Sequence, residues 1–314
     1  ARRDFTLNAL YYDPLTEEVI DFHNGVADLK KRIVRMIGDP ERRYREDPVR
    51  MLRAVRFAAK LSAEIEPATL APIRRLAPLI EHVPASRLFD EALKLLTCGH
   101  AMDCLRKLRE VGLHQDFLPL LDVVFNVPEG EHFVDLALAR TDIRVRGGKP
   151  VSPSFLFAAL LWKLVYQRWQ ALVEQGGHPT QTLLDAADSV LDGQSRKMAI
   201  QRRFIADIRE IWFMQARFDR INARAIWRML EQPRFRAAVD FLQLRAEARE
   251  VDSVMAQWWM DLANASPEER IAMVDAYQAS QRGERAAGGA VRKRRRRRPR
   301  RQPGSGNVEA GSKE

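Results

Sequence analysis

The spacing of apolar residues divides the chain into a short mixed segment and a long helical one. Two β-branched and aromatic runs, residues 10–12 and 19–22, flank the turn signal Asp13-Pro14, which predicts a β-hairpin. The run 33–37 predicts a further strand. Beyond about residue 40, apolar residues recur every three or four positions, which is typical of amphipathic helices. We therefore predict a mainly α fold, with a small α/β part at its start.

The clearest helical segments are short and closely spaced, as in packed helical hairpins rather than a coiled coil. They are predicted at residues 47–59, 67–77, 86–96, 101–111, 154–169, 195–218, 223–231 and 234–250. Trp162, Trp212 and Trp227 fall in these helices and are predicted to lie in the core. Trp258 and Trp259 are adjacent and point about 100° apart on a helix, so we expect only one of them to be fully buried.

Asp47-Pro48 is a strong helix start, with Asp as N-cap and Pro at the first helical position. Asp47 and Arg50 are three residues apart, so they would be neighbours on one helix face. One interpretation is an ion pair worth a few tenths of a kcal/mol. The other is base recognition, because a carboxylate accepts from an exocyclic amino group while a guanidinium donates to a ring nitrogen or carbonyl. Such a pair suits adenine or cytosine and opposes guanine and uracil.

The composition is that of a globular protein, with 46% hydrophobic and 30% charged residues among 314. Most of the net charge of +10 comes from one arm without acidic residues. Its basic residues are Arg292, Lys293, Arg294, Arg295, Arg296, Arg297, Arg298, Arg300 and Arg301. We predict that residues 281–314 are a disordered tail and that the arm binds the RNA backbone; the alternative is a tail that only aids solubility.

Cysteine content and hydropathy exclude several classes of protein. Cys98 and Cys104 form no C-x-x-C pair, so neither a zinc site with His100 nor a disulfide framework is expected. No apolar run reaches the roughly 18–20 residues that cross a bilayer. We expect a cytoplasmic protein without a membrane partner.

Two further segments near the start contain candidate chemistry. The first is Arg2-Arg3-Asp4-Phe5-Thr6-Leu7-Asn8-Ala9-Leu10, in which the charged and amide groups can bind phosphate, sugar hydroxyl and metal together. On composition alone, a solvated charged terminus is the simpler interpretation. The second, Asp21-Phe22-His23-Asn24-Gly25, contains a turn dipeptide whose two residues tolerate positive φ.

Read in order, these segments resemble the class II nucleotidyltransferases, the family of bacterial poly(A) polymerases and tRNA CCA-adding enzymes. The resemblance rests on R-R-D-F-T-x-N-A-L, D-x-x-N-G-x-x-D-L and R-Y-R-E-D-P-x-R-M-L-R-A-x-R-F, and is most specific over residues 1–60. It extends more loosely over residues 84–91 and 233–238. The arginine-rich arm and the run 51–60 favour the poly(A) polymerase branch.

The resemblance implies a polynucleotide adenylyltransferase that uses ATP, two Mg²⁺ ions and an RNA 3′ end. Asp4 would be the catalytic and metal-binding carboxylate. The residues that would bind the nucleotide are Arg3, Asn8, Asp47, Arg50, Arg53 and Arg56. The family's upstream D-x-D strand, which holds most of its metal site, does not occur in the 314 residues, so we expect this chain to be inactive by itself.

From these inferences we predict four parts of the chain. They are a remnant of a nucleotidyltransferase domain (1–40), a helical nucleotide-recognition neck (41–115), a helical RNA-binding body (116–280) and the tail (281–314). Two alternatives remain open: a tRNA CCA-adding enzyme, and a non-catalytic RNA-binding module.

Overall fold

The computed structural model describes residues 3–114, 128–195, 200–219 and 222–280. Helices dominate these residues, which confirms the predicted mainly α fold. The predicted tail and its basic arm, Arg292–Arg301, lie outside the described residues.

The strands are short and lie in two separate pairs. Strands β1 (Leu10–Asp13) and β2 (Glu18–Asp21) pair antiparallel, with Leu10 opposite Asp21, which confirms the predicted hairpin. Strand β3 (Ile33–Val34) is shorter than predicted and pairs parallel with β4 (Glu64–Ile65). Met36, at the end of the predicted run, forms an isolated bridge with Phe5 instead. This bridge attaches the start of the chain to the segment after β3.

The helices follow one another with short connections. They are α1 (Gly25–Lys31), α2 (Pro40–Glu46), α3 (Val49–Leu61), α4 (Pro67–Leu70), α5 (Ile73–Leu76), α6 (Ala85–Leu96), α7 (Ala101–Val111), α8 (Pro128–Arg146), α9 (Pro153–Glu174), α10 (Pro179–Ser195), α11 (Arg202–Gln215), α12 (Ala223–Leu230), α13 (Phe235–Glu247) and α14 (Ser253–Asn264). Residues 6–8 and 77–82 form 3₁₀ turns, and residues 267–280 are also helical. Among the helices described, none is both long and apolar enough to cross a membrane.

Several helix predictions are confirmed and one is wrong. Helix α7 has the predicted bounds, whereas the predicted helix 67–77 is two single turns, α4 and α5. Pro72 separates them because proline lacks the N–H that would continue the hydrogen-bond ladder. Helix α9 extends to Glu174, past the predicted end at Trp169.

Two hydrophobic clusters hold the helices together. The larger joins the start of the chain, α3, α6 and α7 to the α8–α11 helices, and the smaller lies among α12, α13 and α14. Trp162 and Trp212 are fully buried as predicted. The prediction for Trp227 is wrong, because its side chain is 38% exposed. On the short α12, Ile226 and Met229 face the core and leave Trp227 outside it.

A buried polar network crosses the larger cluster. Arg245 of α13 is 4% exposed, and its Nε lies 3.1 Å from Glu250 Oε2. The indole Nε1 of Trp162 donates to the same carboxylate at 2.8 Å, and the Arg245 guanidinium stacks over the Trp162 ring. Burial lowers the pKa of Arg245, and the Glu250 carboxylate opposes that shift. The network therefore fixes α13 against α9.

Candidate nucleotide-binding site

Backbone pairing joins the start of the chain to the segment after β3, and ring packing places it against α3. Ile37 N–H donates to the Asp4 carbonyl at 2.9 Å and Thr6 N–H donates to the Arg35 carbonyl at 3.0 Å. The Phe5 ring is fully buried and packs edge-on against Phe57 of α3, with the ring centroids 5.6 Å apart. These contacts hold the Asp4 side chain against α2 and α3.

Three guanidinium groups surround the Asp4 carboxylate. Arg50 Nε lies 2.9 Å from Oδ1, Arg53 Nε lies 2.8 Å from Oδ2, and Arg43 Nη2 lies 3.6 Å from Oδ1. Asp4 is only 8% exposed, so these ion pairs are shielded from bulk water. Arg53 is the most accessible of the three arginines.

A second carboxylate at the corner between α2 and α3 completes the arginine cluster, which we define as Asp4, Arg43, Glu46, Arg50 and Arg53. Glu46 Oε2 lies 3.2 Å from Arg43 Nη1 and 3.3 Å from Arg50 Nη1. Three guanidinium groups thus face two carboxylates, and the cluster keeps an excess of positive charge. Such a charge balance suits a polyanion such as a triphosphate.

The predicted N-cap is displaced by one residue: Pro48 is the N-cap of α3, which begins at Val49, and Asp47 is the C-cap of α2. Its carboxylate accepts from the Val49 N–H at 3.3 Å and its carbonyl accepts from the Arg50 N–H at 3.1 Å. The expected ion pair with Arg50 is wrong: Asp47 pairs with Arg87 of α6 at 3.0 Å, and Arg50 pairs with Asp4. The extended backbone of Asp47 places its side chain outside the helical turn, where α6 reaches it.

Arg56 lies one turn further along α3, in a different environment. Its Nε is 3.7 Å from Glu91 Oε2 of α6, and Glu91 also pairs with Lys94 at 2.7 Å. The Arg56 guanidinium lies over the Phe57 ring. Arg56 therefore does not join the groups that surround Asp4.

Arg3 and Asn8 lie on either side of Phe5. The Arg3 side chain is exposed, and its carbonyl accepts from Arg43 Nη2 at 3.0 Å. Asn8 Oδ1 accepts from the Phe5 N–H at 3.1 Å, so its carbonyl oxygen stabilises the turn that presents Asp4.

The loop before α1 lies against the 3₁₀ turn of residues 6–8. The Asp21 carboxylate accepts from the Gly25 and Val26 N–H groups at 2.9 Å each, and these bonds to the helix start lower the pKa of its carboxyl. Asn24 has a φ of 60°, which confirms the predicted left-handed turn. Gly25 is required by close approach, because an added Cβ would lie 2.2 Å from the Thr6 carbonyl oxygen.

A metal ion has no ready-made site in the part of the chain that the structure describes. No group of three or more carboxylate, histidine or cysteine side chains there could hold one. Asp4, the expected metal ligand, is already neutralised by the arginine cluster, which disfavours a cation beside it. The described residues alone therefore do not fit the two Mg²⁺ ions that the resemblance implies.

Three residues of the site were not predicted from the sequence. Arg43 and Glu46 belong to the arginine cluster, and Arg87 holds Asp47. Arg43, Glu46, Arg50 and Arg53 are spaced by three, four and three residues, which is a helical stripe that could have identified Arg43. No local spacing indicates Arg87, which lies 40 residues from Asp47.

Three family models match successive parts of the chain. "Poly A polymerase head domain" matches residues 1–35, "Probable RNA and SrmB- binding site of polymerase A" matches residues 64–125, and "Polymerase A arginine-rich C-terminus" matches residues 175–302. The first match includes Asp4, and the last includes the whole basic arm.

Curated relatives agree with these models. Poly(A) polymerase I of Salmonella typhi is 40% identical over 280 residues, which is 87% of this chain and 60% of that protein. The Haemophilus influenzae enzyme is 41% identical over 285 residues, or 88% of this chain and 63% of that protein. The chain thus spans about three fifths of the length of these relatives. A CCA-adding enzyme of Limosilactobacillus reuteri is 44% identical, but over only 116 residues, or 36% of this chain and 28% of that protein.

Solved structures show the same fold. A Thermotoga maritima CCA-adding enzyme complexed with tRNA has a TM-score of 0.52 at 16% identity, covering 89% of this chain and 72% of that one. A tRNA nucleotidyltransferase complexed with a primer tRNA and an incoming ATP analogue has a TM-score of 0.51 at 20% identity, covering 84% and 72%. From its motifs, family models, relatives and fold, the chain belongs to the class II nucleotidyltransferases, on the poly(A) polymerase side of that family.

Proposed function

We propose that this chain is the nucleotide- and RNA-binding portion of a polynucleotide adenylyltransferase, which adds AMP from ATP to RNA 3′ ends without a template. The observation that supports this proposal is the excess of positive charge in the arginine cluster, next to the Asp47 carboxylate that Arg87 holds. The poly(A) polymerases that share 40% identity over most of the chain support the choice of reaction.

In this proposal Asp47 and Arg50 recognise the base of ATP. Asp47 accepts a hydrogen bond from the amino group of adenine, and Arg50 donates to a ring nitrogen. Arg87 holds the Asp47 carboxylate at 3.0 Å, so it is a positioning residue. Arg50 has five N–H donors, which lets it retain Asp4 while it contacts a base.

The remaining predicted residues bind the sugar and phosphates. Arg53 is the accessible member of the arginine cluster and meets the triphosphate, with Arg56 further along the same helix. Arg3 is exposed at the edge of the cluster, and Asn8 presents the turn that contains Asp4. Asp4 orients Arg50 and Arg53 for this purpose. Its role as a catalytic, metal-binding carboxylate stays a prediction, since Mg²⁺ would need other ligands besides Asp4.

The RNA 3′ end is the second substrate in this proposal, and the basic arm Arg292–Arg301 adds affinity for its backbone. We further propose the division into residues 1–40, 41–115, 116–280 and 281–314, and a cytoplasmic location. The match of an RNA-binding family model to residues 64–125 supports RNA binding by the neck.

A primer-extension assay tests the reaction. An enzyme that contains this chain is incubated with Mg²⁺, a 3′-hydroxyl RNA and either ATP or CTP, and the products are resolved by length. We expect AMP addition and no CMP addition. CMP incorporation into a tRNA that lacks its CCA end would instead favour the CCA-adding enzyme, which is less well supported because those relatives match only 36% of the chain.

The same assay, run with these 314 residues alone, tests whether this chain catalyses the reaction by itself. We expect these 314 residues alone to extend no RNA, because the described carboxylates do not form a metal site. Tail synthesis by the chain alone would contradict this expectation. If the chain bound RNA but ATP did not protect it from proteolysis, and Asp47→Asn left activity unchanged, the non-catalytic RNA-binding module would be the better account.

A further inference from the structure

A groove between α8, α9 and α13 lies outside the proposed nucleotide site. It encloses about 610 Å³, within the range of about 300–1,000 Å³ that small-molecule sites occupy. Its walls are the last turns of α8, the connection to α9 and the first turns of α13. None of its lining residues belongs to the arginine cluster.

The rim of this groove is positively charged. Arg140 and Arg144 are four residues apart and therefore lie one turn apart on the same face of α8, and Arg236 faces them from α13. All three are exposed. Arg236 Nε lies 3.2 Å from Asp240 Oδ1, which orients its guanidinium, and Arg144 Nη2 donates to the Pro150 carbonyl at 3.1 Å. Arg140 pairs with Glu247, which lies outside the groove lining.

Part of the groove lining is apolar. Ile143 is 64% exposed although it is a large aliphatic residue, and Phe155 and Val151 are half-buried beside it. Asp240 is the one carboxylate among the described residues that line the groove, and burial raises the pKa of its carboxyl against the influence of the three arginines. The lining thus combines three positive groups, one acidic group and exposed apolar surface.

We propose that this groove binds one nucleotide of a single-stranded RNA, with the base against Ile143 and Phe155 and the adjoining phosphates on Arg140, Arg144 and Arg236. Single-stranded RNA alternates aromatic bases with phosphates, which matches a lining that combines exposed apolar side chains with cationic ones. The choice of RNA as ligand rests on the proposed function. The groove would hold the RNA at a point on the body, separate from the residues that read the incoming ATP.

Equilibrium binding of a short fluorescein-labelled oligo(A) RNA to the full 314-residue chain tests this site without any catalytic step. The double variant Arg140→Gln/Arg144→Gln should weaken binding by roughly 10-fold or more, because charge-assisted hydrogen bonds are lost. The slope of log affinity against log salt should become shallower by about 0.7 for each phosphate contact removed. All variants retain residues 292–301, so the arm contributes equally to each.

A second variant and a matched control keep the test independent of folding. Ile143→Glu retains every arginine, changes a side chain that is already exposed, and should weaken RNA binding to a similar degree. The control Arg224→Gln/Arg228→Gln removes the same two charges from exposed positions one turn apart on α12 that do not line the groove, and should leave affinity nearly unchanged. Thermal unfolding midpoints of all variants should stay close to that of the unmodified chain.

If the groove variants bound RNA as the unmodified chain does, or lost no more affinity than the control Arg224→Gln/Arg228→Gln, the groove proposal alone would be overturned and the proposed function would stand. If the unmodified chain bound no RNA, both would fail. A labelled peptide of alternating Glu and Phe is tested with the same variants: loss of peptide binding with unchanged RNA binding would show that the occupant is a protein.

Discussion

Arg245 illustrates how much one buried charge can contribute in this fold. It is nearly inaccessible, pairs with Glu250 at 3.1 Å, and lies against the rings of Trp162 and Tyr166. Arg245→Ala should lower the free energy of unfolding by about 3–5 kcal/mol, because it leaves the Glu250 carboxylate buried without its partner. Urea unfolding measures this loss. Arg245→Met/Glu250→Gln should recover part of it, and a loss below about 1 kcal/mol in the single variant would contradict the network's role.

The two cysteines lie close enough to change each other's pKa. Cys98 and Cys104 Sγ lie 3.5 Å apart, and hydrogen bonding from Cys104 lowers the pKa of the Cys98 thiol, while the same contact and burial raise that of Cys104. Thiolate forms as pH rises through the pKa, so alkylation of Cys98 by iodoacetamide should become fast at lower pH than for an ordinary thiol. Mass spectrometry across a pH series gives the midpoint. Cys104→Ala should move it upward; an unchanged midpoint would refute the assignment.

The junction between β2 and α1 depends on a single glycine, Gly25, the first residue of α1. Gly25→Ala should destabilise the protein by about 1–3 kcal/mol, because the new methyl group would meet the Thr6 carbonyl oxygen at 2.2 Å. Gly193→Ala in α10 is the matched control: no atom lies within 4 Å of its added methyl group, and it should be neutral or stabilising by up to about 1 kcal/mol. Chemical denaturation compares the two. Equal effects would show that close approach at Thr6 does not decide the cost.

The elements also show what periodicity can and cannot predict. Helix α7 was predictable because its apolar positions recur over three full turns with Gly112 after its end. Strand β4 was not, because two residues contain no repeat and its pairing with β3 is a tertiary contact. Pro72, which separates α4 from α5, was visible in the sequence and should have divided the predicted helix.

The candidate site is assembled by contacts between distant parts of the chain. Each motif could be identified from the sequence because it occupies a short stretch, whereas the residues that contact its side chains could not be identified. Arg50 meets Asp4 from 46 residues away, and Asp47 meets Arg87 from 40 residues away. The local i,i+3 rule favoured Arg50 for Asp47, whereas packing of α6 against α3 supplies Arg87 instead.

Equilibrium binding of ATP and GTP to this chain, measured by isothermal titration calorimetry, tests directly whether Asp47 and Arg50 read the base. If Asp47 and Arg50 read the base, ATP should bind at least about 10-fold more tightly than GTP, since a matched pair of base contacts discriminates by about 1–3 kcal/mol. Arg50→Gln should weaken ATP binding by roughly 10-fold or more, whereas Arg42→Gln, at a side chain 82% exposed on α2, should not. Equal affinity for ATP and GTP, or ATP binding that is insensitive to Arg50→Gln, would contradict the account.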